Sequence, residues 1–219
     1  MKVYVHYYKD DVTGIEYRWR TLLQIGNSWD VCGTVIMKNP GSSKPMEVAN
    51  GKAVPINDSE LLKQLKTFDT APSYSGYDWF QFDVDNTMGH VSRLIEAYCR
   101  EHKMPMEGVI QIFNLFNIRE ADLSKALEMV KTSQSDRFLM TVDDDINNLV
   151  APVYLGWGNL KNNKYFKDNA KRYFEEVKNR SSYLDIDYNK NPFYHPQYLL
   201  VYGRKRDRCI EVYSKFIND

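Results

Sequence analysis

The chain predicts an α/β fold: a three-layer α/β/α sandwich around a mostly parallel four-stranded sheet, with an added N-terminal β-hairpin. Three observations predict it. Short apolar runs at residues 31–37, 109–116 and 153–157 read as buried strands, each closing at or beside Asn, Pro or Gly. Apolar residues at helical spacing lie between them, clearest at Val91, Leu94, Ile95 and Tyr98. Strand–loop–helix alternation then builds a parallel sheet with helices on both faces.

Taken in order, residues 3–8 (VYVHYY) are β-prone, residues 9–14 carry turn formers, and residues 16–25 alternate loosely. They predict a hairpin at one edge of the sheet. Residues 31–37 form the first buried strand and stop at Asn39-Pro40-Gly41. Residues 41–58, rich in Ser, Pro, Asn and Gly, read as a long loop. Asp58-Ser59 starts a short helix, and residues 71–85 form an irregular, aromatic-rich stretch. A helix over 86–102 precedes the strand at 109–116, and helices follow from about Asp122 and over 143–149. After the strand at 153–157, residues 159–179 predict one long helix. A fourth strand is expected at 183–186, His195-Pro196 on a loop behind it, and a helical tail over 207–217.

With 219 residues, 43% of them hydrophobic, the chain suits one core and is short for two, so residues 1–219 read as a single domain. Lys+Arg and Asp+Glu balance at 29 each, so any anion-binding surface is a local patch. Cys32, Cys99 and Cys209 are odd in number and lack metal-site spacing, which predicts free thiols in a reducing compartment. No apolar run approaches membrane-spanning length and residues 1–11 lack an apolar signal core, so a soluble cytoplasmic protein without a membrane partner is expected.

In open parallel sheets, ligands bind at the carboxyl ends of the strands, where Asn39, Asn114, Gly158 and His195 all fall. Asn39-Pro40-Gly41-Ser42 projects a carboxamide and leaves backbone N–H groups for an anion or a polarised water. The same residues also end a strand as a plain turn. Asn114, among apolar neighbours, either bonds nearby backbone or presents its donor and acceptor to a nucleobase edge. His195, on a Pro-bounded loop, can donate to developing negative charge, or is a surface residue. The basic run containing Arg204, Lys205 and Arg206 is either a solvated face or a phosphate-backbone contact. The stretch from Tyr74 to Phe82 could stack on a base or fold onto the core. Asp143-Asp144-Asp145 reads as a helix cap. The four histidines show no metal-ligand spacing, so neither a metal nor a cofactor is expected.

The order of these signals carries a resemblance. Residues 35–42 (VIMKNPGS), 113–116 (FNLF), 155–158 (LGWG) and 195–199 (HPQYL) resemble the bacterial domain-of-unknown-function family 1643. Arg18 to Leu23 resembles that family's opening strand, and Asp85-Asn86-Thr87 its Asp-Pro-Thr, so the likeness covers about residues 17–200. The same order resembles the uracil-DNA glycosylase superfamily, with its water-activating loop, base-reading Asn and late His-Pro motif.

That resemblance implies a uracil-DNA-glycosylase-like domain, with Asn39 and His195 catalytic and Asn114 reading the base. Gly41 and Ser42, with the basic run, would meet DNA phosphates. Lys38 and Gln197 depart from the superfamily pattern, and the loops at 41–58 and 71–85 are long. Both departures point away from plain uracil, toward a roomier pocket lined by Lys38, Tyr74, Tyr77 and Trp79. The expected activity is a DNA glycosylase acting on a flipped, unusual or hypermodified pyrimidine, with phage DNA and antiviral defence as the expected setting. A non-catalytic binder of nucleotide or modified DNA, and a hydrolase of free nucleosides, are the alternatives.

Overall fold

The computed structural model describes residues 1–69, 78–133, 138–178, 186–190 and 193–199. Tyr74, Tyr77, Arg204, Lys205, Arg206, Cys209, the helical tail and most of the fourth expected strand lie outside them. In chain order the strands are β1 (Lys2–Lys9), β2 (Glu16–Ile25), β3 (Val31–Met37), β4 (Val48–Ala49), β5 (Lys52–Ala53), β6 (Trp79–Phe82), β7 (Gly108–Asn114) and β8 (Val153–Gly156). The helices are α1 (Ser59–Lys66), α2 (Asn86–Glu101), α3 (Leu123–Thr132), α4 (Val142–Ile146), α5 (Lys167–Lys178) and the short α6 (Pro196–Leu199). A 3-10 helix occupies Gly158–Asn162.

Six strands form one mixed sheet in the order β6-β1-β2-β7-β3-β8, and β4 with β5 forms a separate small hairpin. The parallel part is confined to β7, β3 and β8, while β6, β1, β2 and β7 pair antiparallel. This corrects the four-stranded, mostly parallel expectation. The N-terminal hairpin is not at an edge either. β2 bonds along β7 from Thr21–Ile112 to Ile25–Gly108, and β6 covers the other side of β1. β6 comes from the stretch read as irregular: Trp79 faces one side and Phe80 and Phe82 the other, so both faces of this strand are buried.

Helices cover both faces. On one, Val91, Leu94 and Ile95 of α2 pack on Val35, Met37, Ile110 and Ile112. On the opposite face, α3, α4 and α5 pack over Ile36, Phe113, Val153 and Leu155, and Leu65 of α1 joins Tyr4, Leu22 and Trp79. Each such side chain, fully buried, contributes about 1.5–3 kcal/mol. Asp58, Asp85 and Asp122 cap α1, α2 and α3 through bonds to first-turn N–H groups.

Two local readings change. Residues 41–58 contain the β4–β5 hairpin, whose turn Asn50-Gly51 has φ +50° and +75°, the conformation that an Asn-Gly pair favours. The single helix expected over 159–179 is broken after Asn162. The Asn163 side chain accepts from the Tyr165 N–H at 3.0 Å, and α5 starts only at Lys167. No helix among the described residues is long and apolar enough to cross a membrane.

Candidate functional site

The ends of the three parallel strands stand level: Met37 pairs with Asn114 on one side and Gly156 on the other. The chain leaving β3 runs toward α2, where the Ser43 hydroxyl donates to the Asp83 carbonyl at 2.7 Å. The chain leaving β7 turns to the opposite face, where α3 and α4 pack. Departure to opposite faces opens a crevice between β3 and β7, where ligands of open α/β sheets bind.

Two recesses lie at this end of the sheet. The smaller, a cavity of about 10 Å³, is lined by Asn39, Pro40, Asn114, Arg18, Asp85 and Met88, among others. That is room for a single water. Asn39 is held there by its Nδ2, which donates to the Glu120 carbonyl at 2.7 Å and leaves Oδ1 as the acceptor. Asn114 is 3% exposed and its Oδ1 has no partner among the described residues. Arg18 is also 3% exposed; Nη2 donates to the Pro40 carbonyl, while Nε and Nη1 are unpartnered among the described residues. Burial lowers the Arg18 pKa to about 10, against the pull of Asp85, so the guanidinium stays charged at neutral pH. Asp85 caps α2 through Oδ1, which accepts from the Met88 N–H at 3.0 Å.

A bulge aims Arg18 at this cavity. Val5 to Tyr7 spans two residues of β1, whereas their partners Thr21 and Arg18 lie three apart on β2. The extra residue sends Trp19 to the opposite face, among the residues around Phe138, and Arg20 to the Phe113 ring. Arg18 is left over Phe82, on the α2 face.

The larger recess is a groove of about 710 Å³ lined by Lys38, His195, Trp157, Tyr194 and Tyr198 with Leu123, Gly158, Asn159, Leu160, Asn162 and Asn163. Its His195 loop is fastened to β8. The Tyr154 hydroxyl donates to the Tyr194 carbonyl at 2.7 Å, the Gly158 N–H to the Phe193 carbonyl at 2.7 Å, and Phe193 is fully buried. Gly156 permits this approach: a Cβ there would meet Met37 Sδ at 3.0 Å and Pro196 Cδ at 3.1 Å. His195 Nδ1 accepts from the Gln197 N–H at 3.2 Å, so the neutral ring carries its proton on Nε2. Burial, helped by Lys38 and His90, lowers its pKa to about 4, which makes it a neutral N–H donor at pH 7. Lys38 is half-buried, its pKa lowered by desolvation alone, and it forms no ion pair among the described residues.

The expected residues are therefore divided. Asn39 and Asn114 share the cavity; Lys38 and His195 share the groove; the consecutive residues Lys38 and Asn39 connect the two. Trp79, expected beside a base, is instead a core residue, 2% exposed, with Nε1 donating to Asp69 at 3.0 Å. Gly41 has φ +74°, and Ser42 is exposed. The Gly41–Ser43 loop is clamped by Arg119, whose Nε donates to the Ser43 carbonyl at 2.6 Å. Asp145 is no cap: it is 3% exposed and accepts from Tyr173 at 2.7 Å and Thr141 at 2.9 Å.

Sequence reasoning missed Arg18, Asp85 and Arg119 as site residues. An Arg inside the strand pattern Tyr17-Arg18-Trp19-Arg20 was the available signal, since buried arginines are rare without a task. Among the described residues no group of His, Cys, Asp and Glu could hold a metal ion. No family model, no curated protein and no solved structure matches the chain. The resemblance to the glycosylase superfamily therefore stands on motif order alone.

Proposed function

We propose that the protein hydrolyses the N-glycosidic bond of a nucleotide turned out of DNA, releasing a pyrimidine larger than uracil. The observation that carries the reading is the water-sized cavity. Asn39 Oδ1 and Asn114 Oδ1 can accept both hydrogens of one water, and an Arg18 N–H can donate to its oxygen. This gives the buried orphan atoms partners and fixes one nucleophile at the end of β3. Asn114 then holds the water rather than reading the base.

The groove one residue away, at about 710 Å³, matches the size of pockets that enclose whole small ligands. Its aromatic rings suit a stacked base, and His195 Nε2–H can donate to the departing base anion. As the bond loosens the sugar becomes cationic, and the Asp85 carboxylate opposes that charge; once the water oxygen has bonded to C1′, one of its two now acidic protons leaves its carboxamide acceptor and passes to Asp85. A binding-only reading would rest on the lack of a carboxylate in the Lys38–Gly41 segment. Asp85, supplied by the α2 cap, weakens that ground.

Abasic sites formed in unmodified, uracil-containing and hypermodified phage DNAs, scored by alkali cleavage, test the proposal. Asn39→Ala and Asp85→Asn should each lower the single-turnover rate by about 10²–10³-fold. Asn still caps α2, so the second variant keeps the fold. Absence of cleavage of every DNA by the wild type, or cleavage by both variants at the wild-type rate, would sink it.

A further inference from the structure

The groove contains one nucleophile that glycosidic hydrolysis does not use. Lys38 follows the last residue of β3, next to Asn39, and lines the groove with His195, close enough for its charge to act on the imidazole. No carboxylate pairs with it among the described residues, and the nearby imidazole is neutral. Structural lysines are ordinarily solvated or ion-paired; a half-buried, unpaired one facing a groove is set up for carbonyl chemistry. Desolvation also favours its unprotonated form, the one that can attack.

We propose that Lys38 gives the protein a second, covalent activity: its amine condenses with the C1′ aldehyde of an abasic deoxyribose and cleaves the strand 3′ to it. The Nζ lone pair adds to C1′, one N–H proton moves to the oxygen, and the resulting hydroxyl takes a second proton from solvent and leaves as water to give an iminium ion. The iminium acidifies C2′; that proton passes to solvent water. The C2′–H electron pair forms the C2′=C3′ bond as the C3′–O bond breaks, and its electrons leave with the 3′ phosphate. Water then hydrolyses the conjugated iminium, releasing the unsaturated aldehyde and free Lys38. No oxidant or reductant is consumed.

The proposal rests on the glycosylase reading only for the origin of the abasic sugar, so its test starts from an abasic site already made. Wild type, Lys38→Ala and Lys38→Arg are incubated with an oligonucleotide carrying one preformed abasic site, with and without sodium borohydride. The wild type should form a covalent protein–DNA adduct that maps to Lys38 by mass spectrometry, and should nick the strand without alkali. Both variants should lose adduct and nicking at least tenfold. Lys38→Arg keeps the cation but not the nucleophilic amine, so its loss cannot come from missing charge or a collapsed fold. Failure of the wild type to form an adduct, adduct on another amine, or full adduct in Lys38→Arg overturns the proposal. Adduct on preformed sites without base release from intact DNA upholds Lys38 and counts against the glycosylase reading alone.

Discussion

Arg18 and Arg20 sit two residues apart on β2, both 3% exposed, yet they are treated differently by the fold. Arg20 faces the core under α1 and α4. Its Nη1 donates to the Phe68 carbonyl at 2.6 Å, its guanidinium lies 5.1 Å from the Phe113 ring centroid, and Asp145 and Asp69 pull on its charge, which leaves Nη2 alone unpartnered among the described residues. Arg18 lines the cavity at the strand ends beside Asn39 and Asn114, with both Nε and Nη1 unpartnered among the described residues. A buried charge left without full pairing costs stability, so its retention at a cavity is a sign of ligand contact rather than of packing. Arg20 belongs to the frame, and Arg18 to the site.

The largest expected effect breaks this comparison directly. Arg20→Met should destabilise the fold by about 3 kcal/mol at pH 7, because it leaves the Asp145 carboxylate buried without its cation. Burial already raises Asp145 to about 6, so losing Arg20 raises it further. The destabilisation should therefore shrink at pH 5, where Asp145 is protonated and needs no counter-charge. Arg18→Met should stay within about 1 kcal/mol of the wild type and lower turnover at least tenfold. Urea denaturation at both pH values, beside single-turnover kinetics, measures all four quantities. Equal destabilisation by the two variants would mean that both arginines are structural.

His195 and Asp145 sharpen the same contrast through pH. The folded-state pKa of His195 falls from 6.5 to about 4, so the unfolded chain binds more protons in that window. Its contribution, on the order of 3 kcal/mol, is present above pH 6.5 and is lost as pH falls toward about 4. Asp145, raised from 3.8 to about 6, acts oppositely: its cost appears as pH rises through the same range. The two nearly cancel in the wild type, and His195→Gln should expose the Asp145 slope, with stability falling from pH 4 to 6.5. Imidazole ¹⁵N shifts give the direct reading: a neutral ring protonated on Nε2 from pH 8 down to about 5. An imidazolium at pH 6 would contradict it.

The contrast also explains what the sequence could announce. β3, β7, β8 and α2 were legible because their burial leaves local apolar runs or helical spacing. The pairing of β2 with β7 was not, since the chain between them runs through β3, α1, β6 and α2 and no local pattern encodes the partner. Trp79 misled because an aromatic cluster looks alike whether it roofs a pocket or closes a sheet edge. Asn39 and Asn114 were legible as polar residues at strand ends. Arg18 and Asp85 were not, because a β2 bulge and the α2 cap bring them in from distant sequence. Asn50-Gly51 was a local signal that the loop composition around it obscured.

The smallest expected effect separates backbone strain from function. Gly14 and Gly41 have nearly the same φ, +73° and +74°, and a Cβ has room at both: nothing lies within 4 Å at Gly14, and Asp85 Oδ2 at 3.6 Å is the neighbour at Gly41. Alanine at either position is penalised only by the left-handed conformation, about 1–2 kcal/mol. Gly14 turns the β1–β2 hairpin, far in sequence from Asn39, whereas Gly41 follows Asn39-Pro40 in the loop that Arg119 clamps. Gly14→Ala should therefore lower stability and leave turnover unchanged. Gly41→Ala should lower stability equally and also slow turnover, because relaxing its φ shifts the loop that orients the Asn39 carboxamide against Glu120. Matched denaturation midpoints with unequal rates would locate the water-holding geometry in this loop. Matched midpoints with matched rates would remove Asn39 from the chemistry.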